Sequence, residues 1–392
     1  MTTSLNFCLN ASFVHKNDPL NGYILVLAAT CLGFVTFMWS FKSTVQFRGN
    51  VKRRLLRLRD PRFFENLARR NASTVFKLIS GPQNTTSTGN YSISATFCST
   101  KTSNGHEKTV LVPTPGLGFD RRYWASETNS SAYNFVDYAL SMGYSIFIYD
   151  SIGTGKSTKV SGYSESRFAN AVAILASLTT YLKQGKYTGN IRQPSKIVHV
   201  CYSYESVLTH TLVTKYSTLS DGVILTGIGY NTTTTSFPAF FEGPHLSIAD
   251  TVSPGRYPGR DSGYLAYADA IGNLATFFHQ GSFDEEILWY TQDVAQLVAV
   301  IEFVTGSPLS IISNPGVLAF AGSVMIITRK FDVGNCAGDC NDILQHLTQE
   351  VFGNARAFEA FSHLGCGHRI NFNFNATGAY GAMMDFMTKH GL

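Results

Sequence analysis

The sequence predicts an α/β fold, a mostly parallel central sheet with flanking helices and a helical cap insertion. Three observations carry that expectation. From Tyr91 onward, short β-branched or aromatic runs alternate with amphipathic runs of helical length, the pattern of strands joined by helical crossovers. The stretch Lys196 to Gly229 condenses the pattern into a strand–turn–helix–strand unit, with Ser203 at the tip of the turn. Finally, Thr232 to Ser310 breaks the alternation with an aromatic, helical composition.

Taken in order, residues 1–20 are polar. Tyr23 to Phe41 carries no charge and is bounded by Lys42, so 21–41 is expected as a membrane anchor or signal-anchor. A basic juxtamembrane segment follows over 42–72, able to lie on an anionic lipid surface. The core is expected over 73–231 and again over 311–392, with the cap at 232–310. Strands are expected at Ile93 to Phe97, Thr109 to Val112, Tyr144 to Tyr149 and Val317 to Thr328. Helices are expected at Tyr133 to Met142, Ser166 to Lys183, Asp342 to Val351 and Ala379 to His390.

The net charge of +5 conceals an asymmetry. Residues 1–60 carry eight Lys/Arg against Asp18 and Asp60, while the remainder has a balance of −1. The bulk of the chain therefore offers no nucleic-acid face. Seven cysteines are too scattered for a disulfide scaffold, and Cys336-x-x-x-Cys340 lacks the second pair that a zinc site needs. In an oxidising compartment that pair suits a local disulfide. Seven Asn-x-Ser/Thr sites, at Asn10, Asn71, Asn84, Asn90, Asn129, Asn231 and Asn375, favour a lumenal or extracellular domain on a single-pass anchor. The basic residues after the apolar run point the other way by the positive-inside rule.

An acyl-transfer nucleophile needs a base, a carboxylate to orient the base, and donors for the developing oxyanion. With Ser203 on a strand-to-helix bend, the order serine, acid, histidine is met by two later residues. Asp332 follows the strand-like run Val324-Met-Ile-Ile-Thr328. His368 lies in Gly365-Cys-Gly-His368, on a loop before the last helix.

Five segments together resemble the α/β-hydrolase superfamily from about Tyr91 to the C-terminus. They are Thr114-Pro-Gly-Leu-Gly-Phe-Asp-Arg-Arg-Tyr-Trp124, Gly143 to Ser157, the turn at Ser203, Phe331-Asp332 with Cys336-Ala-Gly-Asp-Cys340, and Gly367-His-Arg-Ile-Asn371. The group most similar is the fungal secreted or membrane-linked hydrolases of mostly unassigned substrate. The resemblance implies Ser203 as nucleophile, Asp332 as orienting acid and His368 as base. It further implies an oxyanion hole from the backbone N–H groups of Leu117 and Tyr204, a Cys336–Cys340 disulfide, and a cap shaping the acyl pocket.

The chain departs from the family pattern at the nucleophile turn. Both glycines of Gly-x-Ser-x-Gly are replaced, by Cys201 and Glu205, and the usual His-Gly of the oxyanion loop is Pro115-Gly116. Glu205 requires either a displaced helix or a carboxylate that escapes sideways. Cys201 is expected as a small buried hydrophobe. Gly153-Thr-Gly-Lys-Ser157 imitates the end of a phosphate loop, but Asp150 occupies the place of its first glycine, so no nucleotide site is expected.

The function expected is hydrolysis of an ester, or less readily an amide or thioester, through an acyl-enzyme and without cofactor or metal. The substrate would be a small molecule with an apolar group. Two alternatives stand beside it: a weak or inactive hydrolase fold serving as a membrane-tethered binding module, favoured by Glu205 and Pro115, and a peptidase.

Overall fold

In this computed structural model the described residues are 7–9, 37–48, 84–100, 104–230, 245–306, 319–332 and 351–392. The strands entering the main sheet first are β1 (Phe7–Leu9), β2 (Phe37–Arg48), β3 (Asn84–Ser99), β4 (Thr109–Thr114) and β5 (Ser145–Tyr149). β6 (Lys196–Tyr202) and β7 (Gly222–Thr226) follow. Then come β8 (Leu246–Ile248), β9 (Tyr264–Tyr267) and β10 (Val298–Ala299) of a small separate sheet. β11 (Ser323–Arg329) and β12 (Ala357–His363) complete the main one.

Among the described residues the main sheet runs β1-β3-β5-β4-β6-β7-β11-β12, with β2 also on β3. From β5 to β12 every neighbouring pair is parallel, whereas β3 is antiparallel to β1, β2 and β5. β4, β5, β7 and β11 are buried along their whole length. That is why they read as continuous apolar runs rather than as alternating ones.

Helices cover both faces. On one, α1 (Phe135–Ser141) and α7 (Ala376–Lys389) pack Phe135, Leu140, Tyr380 and Met384 against Val198, Val200 and Ile224. On the other, α2 (Phe168–Lys183) and α3 (Tyr204–Lys215) pack Leu175, Leu178, Leu208 and Leu212 against Val223, Leu225 and Ile326. Each such buried side chain contributes roughly 1.5–3 kcal/mol relative to exposure. α4 (Ala270–Phe277), α5 (Glu285–Asp293) and α6 (Val300–Thr305) belong to the insertion.

Three expectations are corrected. The apolar run Tyr23 to Phe41 is not one helix, because Phe37–Phe41 open β2 and pair with β3 from Ala95 to Tyr91. Apolar residues at Phe37, Trp39, Phe41, Val45 and Phe47 alternate with mostly polar ones, a strand period that continues past Lys42. The rest of the expected anchor, 21–36, lies outside the described residues. Among the described residues no helix is long and apolar enough to cross a membrane.

The main sheet also begins upstream of residue 73, at β1 and β2, so part of the basic segment 42–72 belongs to the sheet. The insertion is not purely helical either. β8, β9 and β10 form an antiparallel sheet in which Tyr264, Ala266 and Tyr267 are buried. The expected helix at Asp342 to Val351 and the pair Cys336 and Cys340 lie in 333–350, outside the described residues apart from Val351. Cys98, on β3, is disulfide-bonded.

Candidate active site

β6 ends at Tyr202 and α3 begins at Tyr204, leaving Ser203 to make the bend alone. Its backbone is at φ 56°, ψ −119°. A non-glycine residue held there costs on the order of 1–3 kcal/mol. Neighbouring structure imposes it: the Ser203 N–H donates to the Thr226 carbonyl of β7 at 2.7 Å. The bend lifts the hydroxyl clear of the C-terminal edge of the parallel strands, where such sheets place their chemistry.

Three side chains distant in sequence meet at that edge. The Ser203 hydroxyl lies 2.7 Å from His368 Nε2. His368 Nδ1 lies 2.8 Å from Asp332 Oδ1. Asp332 is fully buried just beyond β11, and His368 is 3 % exposed. The other carboxylate oxygen, Oδ2, is 3.3 Å from the guanidinium of Arg329, itself at 0 % exposure. Serine, imidazole, carboxylate and guanidinium thus form one chain of polar contacts.

Gly227, at the end of β7, makes room for it. Its φ is +64°, and an added Cβ would stand 2.7 Å from Arg329 Nη1 and 3.3 Å from His368 Cε1. Both the left-handed backbone and the close approach require glycine.

The loop after β4 lies beside the bend because β4 pairs with β6 up to Thr114↔Cys201. At Gly116 an added Cβ would stand 2.6 Å from the Tyr202 ring, so this loop touches the residue before Ser203 directly. Leu117 follows Gly116. Tyr204 opens α3, so its N–H has no intrahelical acceptor. The buried surroundings are aromatic: Tyr202 and Phe277 flank the His368 ring, Tyr123 stacks on Tyr202 with centroids 4.3 Å apart, and Phe119 meets Phe277 of α4 edge-on. The Tyr267 hydroxyl donates to the Leu117 carbonyl at 3.4 Å, fastening the loop to the insertion. Arg369, next to His368, is fully buried with its guanidinium 4.3 Å from the centroids of both Phe119 and Phe277.

Glu205 escapes sideways. Its carboxylate turns under the loop after β5, reaching the Ser151 hydroxyl at 3.4 Å, while its second oxygen is buried without a partner. Burial, then the charge of Glu302, pushes its pKa up to about 8, with the Ser151 hydrogen bond opposing. Burial raises Glu302 of α6 to about 7, against its bonds from the Ala299 N–H and the Ser166 hydroxyl. Cys201 is fully buried with its thiol 2.8 Å from the Thr209 hydroxyl, and burial pushes it up to about 12, far from a reactive thiolate.

Arg329, Gly227 and Glu302 were not singled out by sequence reasoning. The trace of Arg329 was a cation, followed by Lys330, that ends an apolar strand run just before Asp332. Among the described residues no group of His, Cys, Asp and Glu is arranged to hold a metal ion.

No protein-family model and no curated protein matches the sequence. Solved structures do. A protein assigned as a non-heme bromoperoxidase, BpoC, from Mycobacterium tuberculosis H37Rv aligns with TM-score 0.51 and 15% identity, over 76% of this chain and 96% of that one. Rv0554 from Mycobacterium tuberculosis aligns at 0.50 and 16%, over 78% and 95%. A protein assigned as a lipase from Acinetobacter baumannii aligns at 0.50 and 13%, over 76% and 89%. At these identities the likeness speaks for the fold. Together with the strand order and the mostly parallel sheet, it makes this an α/β-hydrolase fold.

Proposed function

We propose that this chain is a serine hydrolase acting on esters of small molecules with an apolar acyl or alkyl group. The observation that carries the reading is the relay from Ser203 through His368 to Asp332, with contacts of 2.7 and 2.8 Å at the end of a parallel sheet. In the first half-reaction the Ser203 oxygen bonds to the substrate carbonyl carbon while its proton passes to His368 Nε2. Asp332 holds the Nδ1–H tautomer and stabilises the imidazolium. The N–H groups of Leu117 and Tyr204 receive the oxyanion. Collapse breaks the carbon–oxygen bond to the alcohol, which leaves with the proton from His368. Water, deprotonated by the same imidazole, then releases the acid and regenerates the serine.

The buried aromatic cluster of Tyr123, Tyr202, Phe119 and Phe277 beside His368 supports an apolar substrate group. A lumenal or extracellular location is proposed on two grounds. Cys98 is disulfide-bonded, and the acceptor residues Asn90, Asn129 and Asn375 are exposed. The test of the activity is labelling by a fluorophosphonate probe followed by mapping of the adduct. An adduct on Ser203, lost in Ser203→Ala together with at least ~10³-fold of p-nitrophenyl ester turnover, is the expected result. Equal ester turnover in Ser203→Ala would refute it. A glycosidase-sensitive mass shift of the protein from its own cells tests the location.

A further inference from the structure

We propose that a second site, in the cleft between the Gly153–Lys159 turn, the Asp120–Arg122 segment and Arg256–Arg260, binds a small polyanion bearing phosphate groups. The cleft has a volume of about 580 Å³, and neither Ser203, His368 nor Asp332 lines it. It is therefore separate from the candidate active site.

The charges along its walls are unevenly matched. Arg121 faces Asp150 and Arg122 faces Asp120, two internally neutral pairs. Among the described residues the other cations have no carboxylate partner. Lys159 donates to the Pro258 carbonyl at 2.7 Å. Arg260 donates through Nε and Nη2 to the Gly153 carbonyl. Arg256 holds the carbonyls of Gln292, Asp293 and Ala295 through Nη2 alone. Lys156 stands exposed on the wall. Three cations held by backbone carbonyls and the exposed Lys156 thus face Glu127 and Asp293, the two lining carboxylates that are not tied to an arginine. The surplus is positive, and a concave low-dielectric wall concentrates the field of such a surplus.

Donors remain to be used. Arg260 Nη1 is buried with no acceptor among the described residues, and the Lys156 ammonium stands exposed on the wall. Guanidinium forks and lysine point charges are the donors that suit phosphate oxygens. The Gly-Thr-Gly-Lys-Ser turn contributes through its lysine side chain and not as a backbone cradle. Its Gly155 N–H is spent on Gln296 Oε1 and its Lys156 N–H on Asp150 Oδ2. This is the physical reason that its likeness to a nucleotide loop stops at the sequence.

The test is calorimetric titration of the full chain with sodium pyrophosphate at fixed ionic strength. One saturable site is expected, weakened about tenfold or more by Lys156→Glu and by Arg256→Gln. Lys215→Glu, which makes the same change in net charge as Lys156→Glu but on exposed α3 surface, is expected to leave it unchanged. Vesicles of phosphatidic acid in phosphatidylcholine distinguish a lipid headgroup from a free phosphate compound. Sedimentation lost in Lys156→Glu but kept in Lys215→Glu, without pyrophosphate binding, assigns the same chemistry to a headgroup. Absence of both, or equal weakening by the two reversals, overturns the proposal. Ser203 labelling is expected unchanged in all three variants, so this result stands or falls apart from the hydrolase reading.

Discussion

Glu205→Gln removes the ionisable group that has replaced the second glycine of the nucleophile turn, at nearly constant volume. In the folded protein this carboxyl holds its proton to about pH 8, whereas an unperturbed glutamate releases it near 4.5. Between those values the unfolded chain binds fewer protons than the folded one. Stability is therefore complete below about pH 4.5 and falls as pH rises through 8. A displacement of that size, at about 1.4 kcal/mol per unit, sets a ceiling of about 5 kcal/mol. Because Glu302 titrates beside it, the part removable by one substitution is on the order of 3–5 kcal/mol. The assay is urea unfolding of wild type and Glu205→Gln at intervals from pH 4.5 to 9. The variant should match wild type at the acid end and exceed it at pH 8–9. Buried His199 and His210, lowered to about 3 and about 4 by burial, tilt stability the opposite way below pH 6.5. They do so equally in both proteins, so the difference isolates Glu205. Parallel pH profiles for the two proteins would refute the reasoning.

Three other outcomes are expected. Gly227→Ala forces a side chain into a φ of +64° and against Arg329 and His368. It should cost about 1–3 kcal/mol in urea unfolding and lower kcat more than it raises KM. Arg329→Met leaves the buried Asp332 carboxylate without its cation and should cost about 3–5 kcal/mol in urea unfolding; unchanged stability would refute the pairing. Asp332→Asn should leave probe labelling of Ser203 detectable but slowed by about 10³–10⁴-fold, measured as a second-order labelling rate.

How far the sequence could be read depended on how local each determinant was. Runs such as Ser145–Tyr149 and Lys196–Tyr202 state their burial in their own composition, so the central strands were legible. Ser203, Asp332 and His368 were recognisable by their order along the chain, and the structure brings their side chains together. β2 was missed because the aromatic residues of Phe37–Phe41 satisfy a length criterion for membrane helices and a period of two at once. Only the pairing partner 50 or more residues away decides between them. β12 was missed for a related reason: Ala357–His363 is half exposed, with an apolar pattern too weak to announce a strand at the sheet edge. The destination of the Glu205 carboxylate could not be read at all, since it depends on Ser151 and on Glu302 from the insertion.

The hydroxyl and the imidazole come from positions 165 residues apart, and the imidazole and its acid from positions 36 apart. Bringing such remote segments together is among the slowest steps a chain takes, because loop closure precedes any reward from contact. A nascent or partly assembled chain, lacking β11 or the segment after β12, would hold the Ser203 hydroxyl without its imidazole or carboxylate partner. If the proposed activity holds, turnover per molecule would then act as a gauge of finished assembly, absent until the segment from Ser323 onward had docked.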